Sequence, residues 1–222
     1  MSDTSQTSQL YDRVRAAILA LDLSPGERLT ERGLEAAFAA SRTPVRAALS
    51  RLETEGLAQR DGRGWIVAPI DLGEIRALAE LREAVECAGV RLAVERASDE
   101  NIGALARAID ASRPAADEEE GLRAGSDFHV LLAGLSGNTV MVDAVRGAMT
   151  RLARTRWLEV RTPEARETAW VEHRAVVAAI ATRDADEASR LLAAHIRGTN
   201  DRLLRFLATE RRNLRGIAIV PS

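Results

Sequence analysis

The sequence predicts a mostly α-helical protein in two parts, an N-terminal winged helix-turn-helix and a C-terminal all-α bundle of about six helices. Three observations predict it. Gly and Pro punctuate the early chain, at Pro25-Gly26, Pro44, Gly56, Gly62, Gly64 and Pro69, whereas long stretches rich in Ala, Leu, Arg and Glu follow Asp71. Apolar residues recur at helical spacing through most of the chain. One strand-turn-strand pattern stands at about 57–68, directly behind three short helical segments.

The first helix is expected from Leu10, Val14, Ala17, Ile18 and Leu21, and should stop before Ser24-Pro25-Gly26. Thr30 is the expected N-cap of a short second helix over Glu31–Phe38. Ala39-Ala40-Ser41 makes a tight turn. The third helix should start with Thr43 as N-cap and Pro44 at the first helical position, where the missing N–H costs nothing. It should run to about Glu55, with Gly56 as its stop. Strands at about Leu57–Arg60 and Trp65–Ala68 flank a hairpin turn, Asp61-Gly62-Arg63-Gly64. Val67–Asp71 reads as a hinge. Further helices are expected at roughly 72–97, 99–112, 119–135, 138–161, 163–182 and 185–211, with Asp117–Glu120 as a solvated acidic loop after Pro114. The domain organisation is then a disordered tail over 1–9, a winged helix over 10–70, a helical domain over 71–212 and a tail over 213–222.

Composition excludes several classes. The chain has 222 residues, 46% of them hydrophobic, which is enough for a substantial core. Its net charge is −2, all 31 of its cations are arginines, and residues 1–70 hold nine Arg against nine acids. A non-specific architectural DNA protein needs a basic excess, so any DNA binding here must be local. A lone cysteine, Cys87, excludes an internal disulfide and fits a reducing compartment. The longest apolar run, Ala175–Ala181, is seven residues, against about 20 for a membrane span. Residues 1–9 are polar and acidic, unlike a signal peptide. A cytoplasmic protein with no membrane association is expected.

The faces of the third helix are distinct. Val45, Ala48, Leu49 and Leu52 form a stripe for the core, while Arg42, Arg46 and Ser50 lie four residues apart on another face. Two arginines at a helix N-terminus are electrostatically awkward unless phosphates or guanine edges arrive there. Three segments around these residues resemble the GntR family of bacterial transcription regulators over about residues 10–69: Leu23-Ser24-Pro25-Gly26-Glu27-Arg28-Leu29, Ser41-Arg42-Thr43-Pro44-Val45-Arg46 and Arg51-Leu52-Glu53-Thr54-Glu55-Gly56-Leu57. The resemblance implies that Arg32, Ser41, Arg42, Thr43 and Arg46 sit on operator DNA, with the wing tip Gly62-Arg63 toward the minor groove. Gly33 departs from the family, which prefers a better helix former there, at a cost of about 1 kcal/mol.

The chain's three histidines, His129, His173 and His195, all fall in the second part. His173 and His195 are each 11 residues from Asp184, the expected cap after the turn between their helices. In an antiparallel hairpin they then stand at equal height, about 16 Å from the loop. Ala169, Trp170, Val176 and Val177 surround His173, Leu191, Leu192 and Thr199 surround His195, and Leu132 and Ala133 share the face of His129, so all three should point inward. Two readings stand: satisfied core histidines, or a three-imidazole site for a divalent ion such as zinc or nickel. Phe128-His129, Ser136-Gly137-Asn138, Glu172-His173-Arg174 and Ala194-His195-Ile196 resemble the FCD effector-binding domain of the FadR-like subfamily, in its VanR-type form, over about residues 72–210. That resemblance implies a metal held by one Asp and three His in a ligand cavity. The three histidines carry over. The aspartate, expected four residues before the first His, is Gly125 here, and Asp127 should face away, so a three-His site lacking a carboxylate is expected to bind metal more weakly.

Arg82 and Glu86 interrupt the inward stripe Ile75, Leu78, Ala79, Val85 and Gly89. They are either an intrahelical pair or a fork for a carboxylate effector; the resemblance favours the latter. Asn138 is the expected N-cap of its helix and a further effector-side candidate. Trp157 and Trp170 read as core rather than ligand stackers. The expected function is a homodimeric transcription regulator, a repressor on a palindromic operator, answering a small organic acid. The rival is a three-His zinc hydrolase with a DNA-binding head, for which the sequence offers no well-placed general base, so no enzyme is expected.

Overall fold

The computed structural model describes residues 3–113, 118–156, 162–210 and 218–220. The chain divides into two compact units, Met1–Leu72 with Glu210–Ser222, and Gly73–Thr209.

The first unit opens with α1, Asp3–Leu19. Residues 3–9, expected as tail, thus belong to the helix. Leu10, Tyr11, Val14 and Ile18 form its buried stripe. Leu21 is not on that stripe, because its φ of 63° takes the chain out of the helix first. β1, Arg28–Leu29, leads to α2, Glu31–Phe38. Thr30 caps α2 by accepting from the Gly33 N–H at 3.0 Å. A Cβ on Gly33 would lie 2.7 Å from the Thr30 Oγ1, so the glycine that weakens the helix also makes room for the cap. The third helix, α3, spans Arg42–Thr54 with Ser41 as N-cap, not Thr43. Pro44 is therefore the third helical residue, still within the first turn, where no intrahelical N–H is required. Val45, Leu49 and Leu52 are fully buried against α1 and the sheet. β2, Ala58–Asp61, and β3, Gly64–Val67, form the wing hairpin, and β1 pairs with the other edge of β3 to give the order β1-β3-β2. β1 was not foreseen; two residues carry no periodicity.

A second pairing joins two segments about 150 residues apart. β4, Ile70–Asp71, lies parallel to β5, Ile219–Val220. Ala218 donates to the Pro25 carbonyl at 3.0 Å and accepts from the Ile70 N–H at 2.9 Å. Gly26, at φ 84°, passes so close to Ala218 that a Cβ there would sit 2.5 Å from the alanine methyl. Residues 218–220, expected as tail, are thus paired.

The second unit is helical: α4 Leu72–Arg96, α5 Asp99–Ala111, α6 Glu118–Gly134, α7 Thr139–Arg156, α8 Pro163–Ala181 and α9 Ala185–Glu210. The acidic stretch expected as a loop instead opens α6, whose first residue is Glu118. Val90, Ile102, Phe128, Leu132, Val176, Ile180, Leu192 and Ile196 form the core. The α8–α9 turn places Arg183 at φ 61°. Its guanidinium donates to the Val94 and Ala97 carbonyls at 2.8 and 2.9 Å, tying the turn to the end of α4. Asp184 then caps α9 by accepting from the Glu187 N–H. Trp157 lies outside the described residues. Among the described residues no helix is long and apolar enough to cross a membrane.

Candidate functional site

The first candidate surface is the start of α3. Arg42 and Arg46 project from it with side chains 74% and 68% exposed. Glu31, the first residue of α2, reaches between them: its two oxygens lie 2.9 Å from Arg42 Nε and 3.0 Å from Arg46 Nε. The Arg42 hydrogen bond, with Arg46 adding to it, holds the Glu31 carboxyl below its usual range. One carboxylate thus fixes the splay of both arginines. The sequence reading missed this role; the signal was an acid opening α2 next to a helix led by arginines. Arg32, Ser41, Thr43, Gly62 and Arg63 are all exposed in the same unit. The Ser41 side chain makes no cap hydrogen bond to the N–H groups leading α3, and a helix N-terminus favours an anion. Gly62 turns the wing at φ 57° with open space around it.

The second candidate is the histidine cluster. His129, His173 and His195 are buried, and one ring nitrogen from each lies within 4.8 Å of the others. The Nε2 atoms of His173 and His195 are 3.2 Å apart, which confirms their equal height. Two carboxylates set the tautomers. The Nδ1–H of His195 faces Glu172 Oε2 at 2.6 Å, and the Nδ1–H of His129 faces Glu86 Oε2 at 2.6 Å. Both rings therefore turn Nε2 inward. Burial first, then the positive charge of Arg82, holds His129 well below the usual imidazole value; burial, then neighbouring His195, does the same for His173. Both are neutral, as a metal ligand must be. An ion about 2.1 Å from each Nε2 of the His173–His195 pair would subtend about 100°, an ordinary ligand angle. The donor set fits a divalent ion.

Arg82 and Glu86 stand behind this cluster. Arg82 Nε donates to Glu86 Oε1 at 2.7 Å, and an Arg82 Nη donates to His129 Nε2 at 2.9 Å. With the His129–Glu86 bond this closes a ring of three hydrogen bonds between buried groups. Burial pushes the Glu86 carboxyl up, and the Arg82 charge opposes that push. An ion at His129 must first displace the Arg82 Nη.

A cavity of about 180 Å³ opens beside His173 and His195. Its described lining includes Arg156, Arg166, Arg202, Phe128 and Trp170, but not Arg82, Glu86 or Asn138. Asn138 instead caps α7, accepting from the Val140 and Met141 N–H groups. Trp170 both lines the cavity and anchors itself by donating from Nε1 to the Ile109 carbonyl. Asp127, expected to face away, borders the cavity while remaining exposed. At Gly125 an added Cβ would lie 2.9 Å from an Arg156 Nη, so a guanidinium fills the space beside the position where the resemblance implies a carboxylate. The sequence reading missed Arg156, Arg166 and Arg202.

Comparison with known proteins gives a consistent picture. The FCD domain model matches residues 77–198, and that of the bacterial regulatory proteins of the gntR family matches residues 6–67. The Nta operon transcriptional regulator of Aminobacter aminovorans is 32% identical over 186 residues, covering 82% of this chain and 87% of that protein. The transcriptional repressor NanR of Cronobacter sakazakii is 31% identical over 204 residues, covering 79% and 76%. Among solved structures, a GntR regulator of Rhodococcus sp. RHA1 matches with a TM-score of 0.76 at 23% identity, covering 90% of this chain and 98% of that one, and so supports the fold alone.

Proposed function

The chain belongs to the GntR family of bacterial regulatory proteins and is a DNA-binding transcription regulator with an FCD effector-binding domain, and we propose that it acts in the cytoplasm as a homodimeric repressor whose hold on a palindromic operator is released by a small organic acid. The observation that carries this is the pair Arg42 and Arg46, exposed at the start of α3 and held apart by Glu31. In the major groove these forks read guanine edges. Arg32, Ser41 and Thr43 meet phosphates, and Gly62-Arg63 enters the minor groove. One such module is too small for operator-level specificity, so two copies read two half-sites. The name of the NanR relative supports the repressor direction.

The cavity beside the histidines is the effector's place. A zinc or nickel ion on His129, His173 and His195 would offer a positive anchor for an acid there, with Glu86 and Glu172 offsetting part of its charge. Arg82 and Glu86 serve this site by orienting His129. Release requires the acid to bind one conformation of the dimer more tightly than the other. The hydrolase alternative finds no support: the carboxylates nearest the histidines, Glu86 and Glu172, are engaged at imidazole Nδ1 atoms and are not poised as general bases.

Footprinting on the DNA upstream of the protein's own gene, with and without candidate organic acids, tests the reading. A protected inverted repeat that acids release is the expected result. Protection without two-fold symmetry, or none at all, would refute the operator reading.

A further inference from the structure

We infer that Arg60, held flat against the Trp65 ring on the wing, grips a DNA phosphate at the rim of the groove that the wing tip enters. The inference rests on the placement of the wing proposed above, and adds a contact supplied neither by the arginines of α3 nor by the tip itself.

Strand register decides which side of the wing Arg60 occupies. In the β2–β3 hairpin Arg60 stands opposite Trp65, and Ala58 opposite Val67, so these four residues share one face. β1 adds Leu29, which also pairs with Trp65. Leu29, Ala58 and Val67 pack in one cluster with Val45, Leu49 and Leu52 of α3. This is therefore the face that looks toward the reading helix. Arg60 carries that face past the edge of the core, exposed where Trp65 beneath it is buried. Asp61 points the other way, where it meets Arg28 at 3.4 Å.

The Arg60 guanidinium carbon lies 3.7 Å from the centroid of the Trp65 ring, the distance of flat contact. Arg51 sits as close over Tyr11, at 3.6 Å, but it faces Glu55 as well. No acid among the described residues pairs with Arg60. A stacked guanidinium turns its π face to the ring and keeps its N–H groups in the plane, aimed outward. Those donors match a phosphate. The ring also fixes a long side chain before DNA arrives, so less freedom is lost on contact.

Distance places the phosphate. Arg60 is two residues from Gly62 at the tip, about 7 Å along the strand. The minor groove is about 7.5 Å deep. With the tip at its floor, Arg60 stands level with the sugar-phosphate rim and away from the base edges. Its contact is therefore blind to sequence. It seats the wing and leaves reading to Arg42 and Arg46.

A salt titration separates a phosphate contact from a mere lid over Trp65. Binding of the full-length protein is followed by fluorescence anisotropy between about 50 and 200 mM salt. Two labelled duplexes are used, the DNA upstream of the protein's own gene and a random sequence of equal length. Arg60→Met keeps the hydrocarbon cover on the ring and removes the charge. It should flatten the slope of log affinity against log salt by about 0.9 for each copy bound, which is about fivefold in affinity per copy near 0.15 M salt. The factor should be the same on both duplexes, with thermal unfolding unchanged. Arg60→Lys keeps the charge without the flat face, and should restore the slope but only part of the affinity. Trp65→Leu should do the same, and Arg60→Lys carries that test if the core does not tolerate the change. A parent-like slope in Arg60→Met would overturn the inference and leave Arg60 as a cover on the core. Loss on the upstream fragment alone would also overturn it, and make Arg60 a reader of bases. Either result leaves the operator reading standing as long as Arg42→Ala still loses specific binding. A parent protein that holds neither duplex would remove both.

Discussion

Replacing Arg82 with Ala probes the deepest charge arrangement in the molecule. Its side chain and that of Glu86 are 5% and 1% exposed, and both lean on His129. Removing the guanidinium leaves Glu86 without its cation and His129 Nε2 without its donor. Breaking a buried pair from one side costs about 3–5 kcal/mol. In a helical unit spanning Gly73–Thr209, that corresponds to a fall in melting temperature of roughly 10–20 °C. Arg82→Met with Glu86→Leu removes both charges and leaves only His129 under-satisfied, a cost of about 1–3 kcal/mol. The double variant should therefore be more stable than Arg82→Ala, although it carries more changes. Thermal unfolding followed by circular dichroism measures both. Parent-like stability for Arg82→Ala, or simple addition of the two single effects, would refute the closed ring. The acid response of Arg82→Ala should survive in folded protein; its loss with unchanged stability would make Arg82 a direct effector ligand.

Arg42→Ala and Arg46→Ala should each weaken operator binding by about 1–3 kcal/mol without altering helicity, read by fluorescence anisotropy; unchanged specific binding by both would remove α3 as the reading helix. Glu31→Gln should loosen both arginines, raising non-specific affinity and steepening its salt dependence, measurable on random-sequence duplex. Because His129 and His173 are held below the ordinary imidazole value, the unfolded chain takes up protons first as pH falls below about 6.5, so stability is full above that pH and declines beneath it. Glu86, pushed up, gives a slope of opposite sign from one group against two, and a melting temperature that does not fall between pH 7 and 5.5 would count against buried neutral imidazoles. Gly33→Ala improves helix propensity but drives a methyl into the Thr30 hydroxyl, so it should not stabilise the protein, whereas the same change with Thr30→Ala should recover about 1 kcal/mol over Thr30→Ala alone, as urea titration would show.

The helices of the second unit were legible because each carries a long apolar period and a local stop. The equal height of His173 and His195 was legible because it depends only on counting from a turn. Other features were not, each for a physical reason. Thr43 and Ser41 are both good caps two residues apart, and only the backbone of Ser41, extended at ψ 168°, decides between them. β1, β4 and β5 are two residues each, too short for a pattern. Asp127 shows how a helical wheel fails at a cavity mouth, where a side chain can be exposed and still border the opening. Arg156 was hidden because its meaning lies in an absent side chain, that of Gly125, on another helix.

Strand β5, which follows the second unit in sequence yet pairs within the first, gives the first unit an unusual history on the ribosome. Its partner β4 and the Pro25-Gly26 corner are synthesised early, yet β5 cannot reach them until every helix of the second unit has emerged. A nascent chain halted anywhere before residue 218 therefore carries a DNA-reading module with an open strand edge and no Ala218 against Gly26. A stop codon placed just before residue 218 would spare every described helix and every described cavity residue, and still leave β4 unpaired. The same topology means that the second unit is joined to the first by two stretches of backbone rather than one.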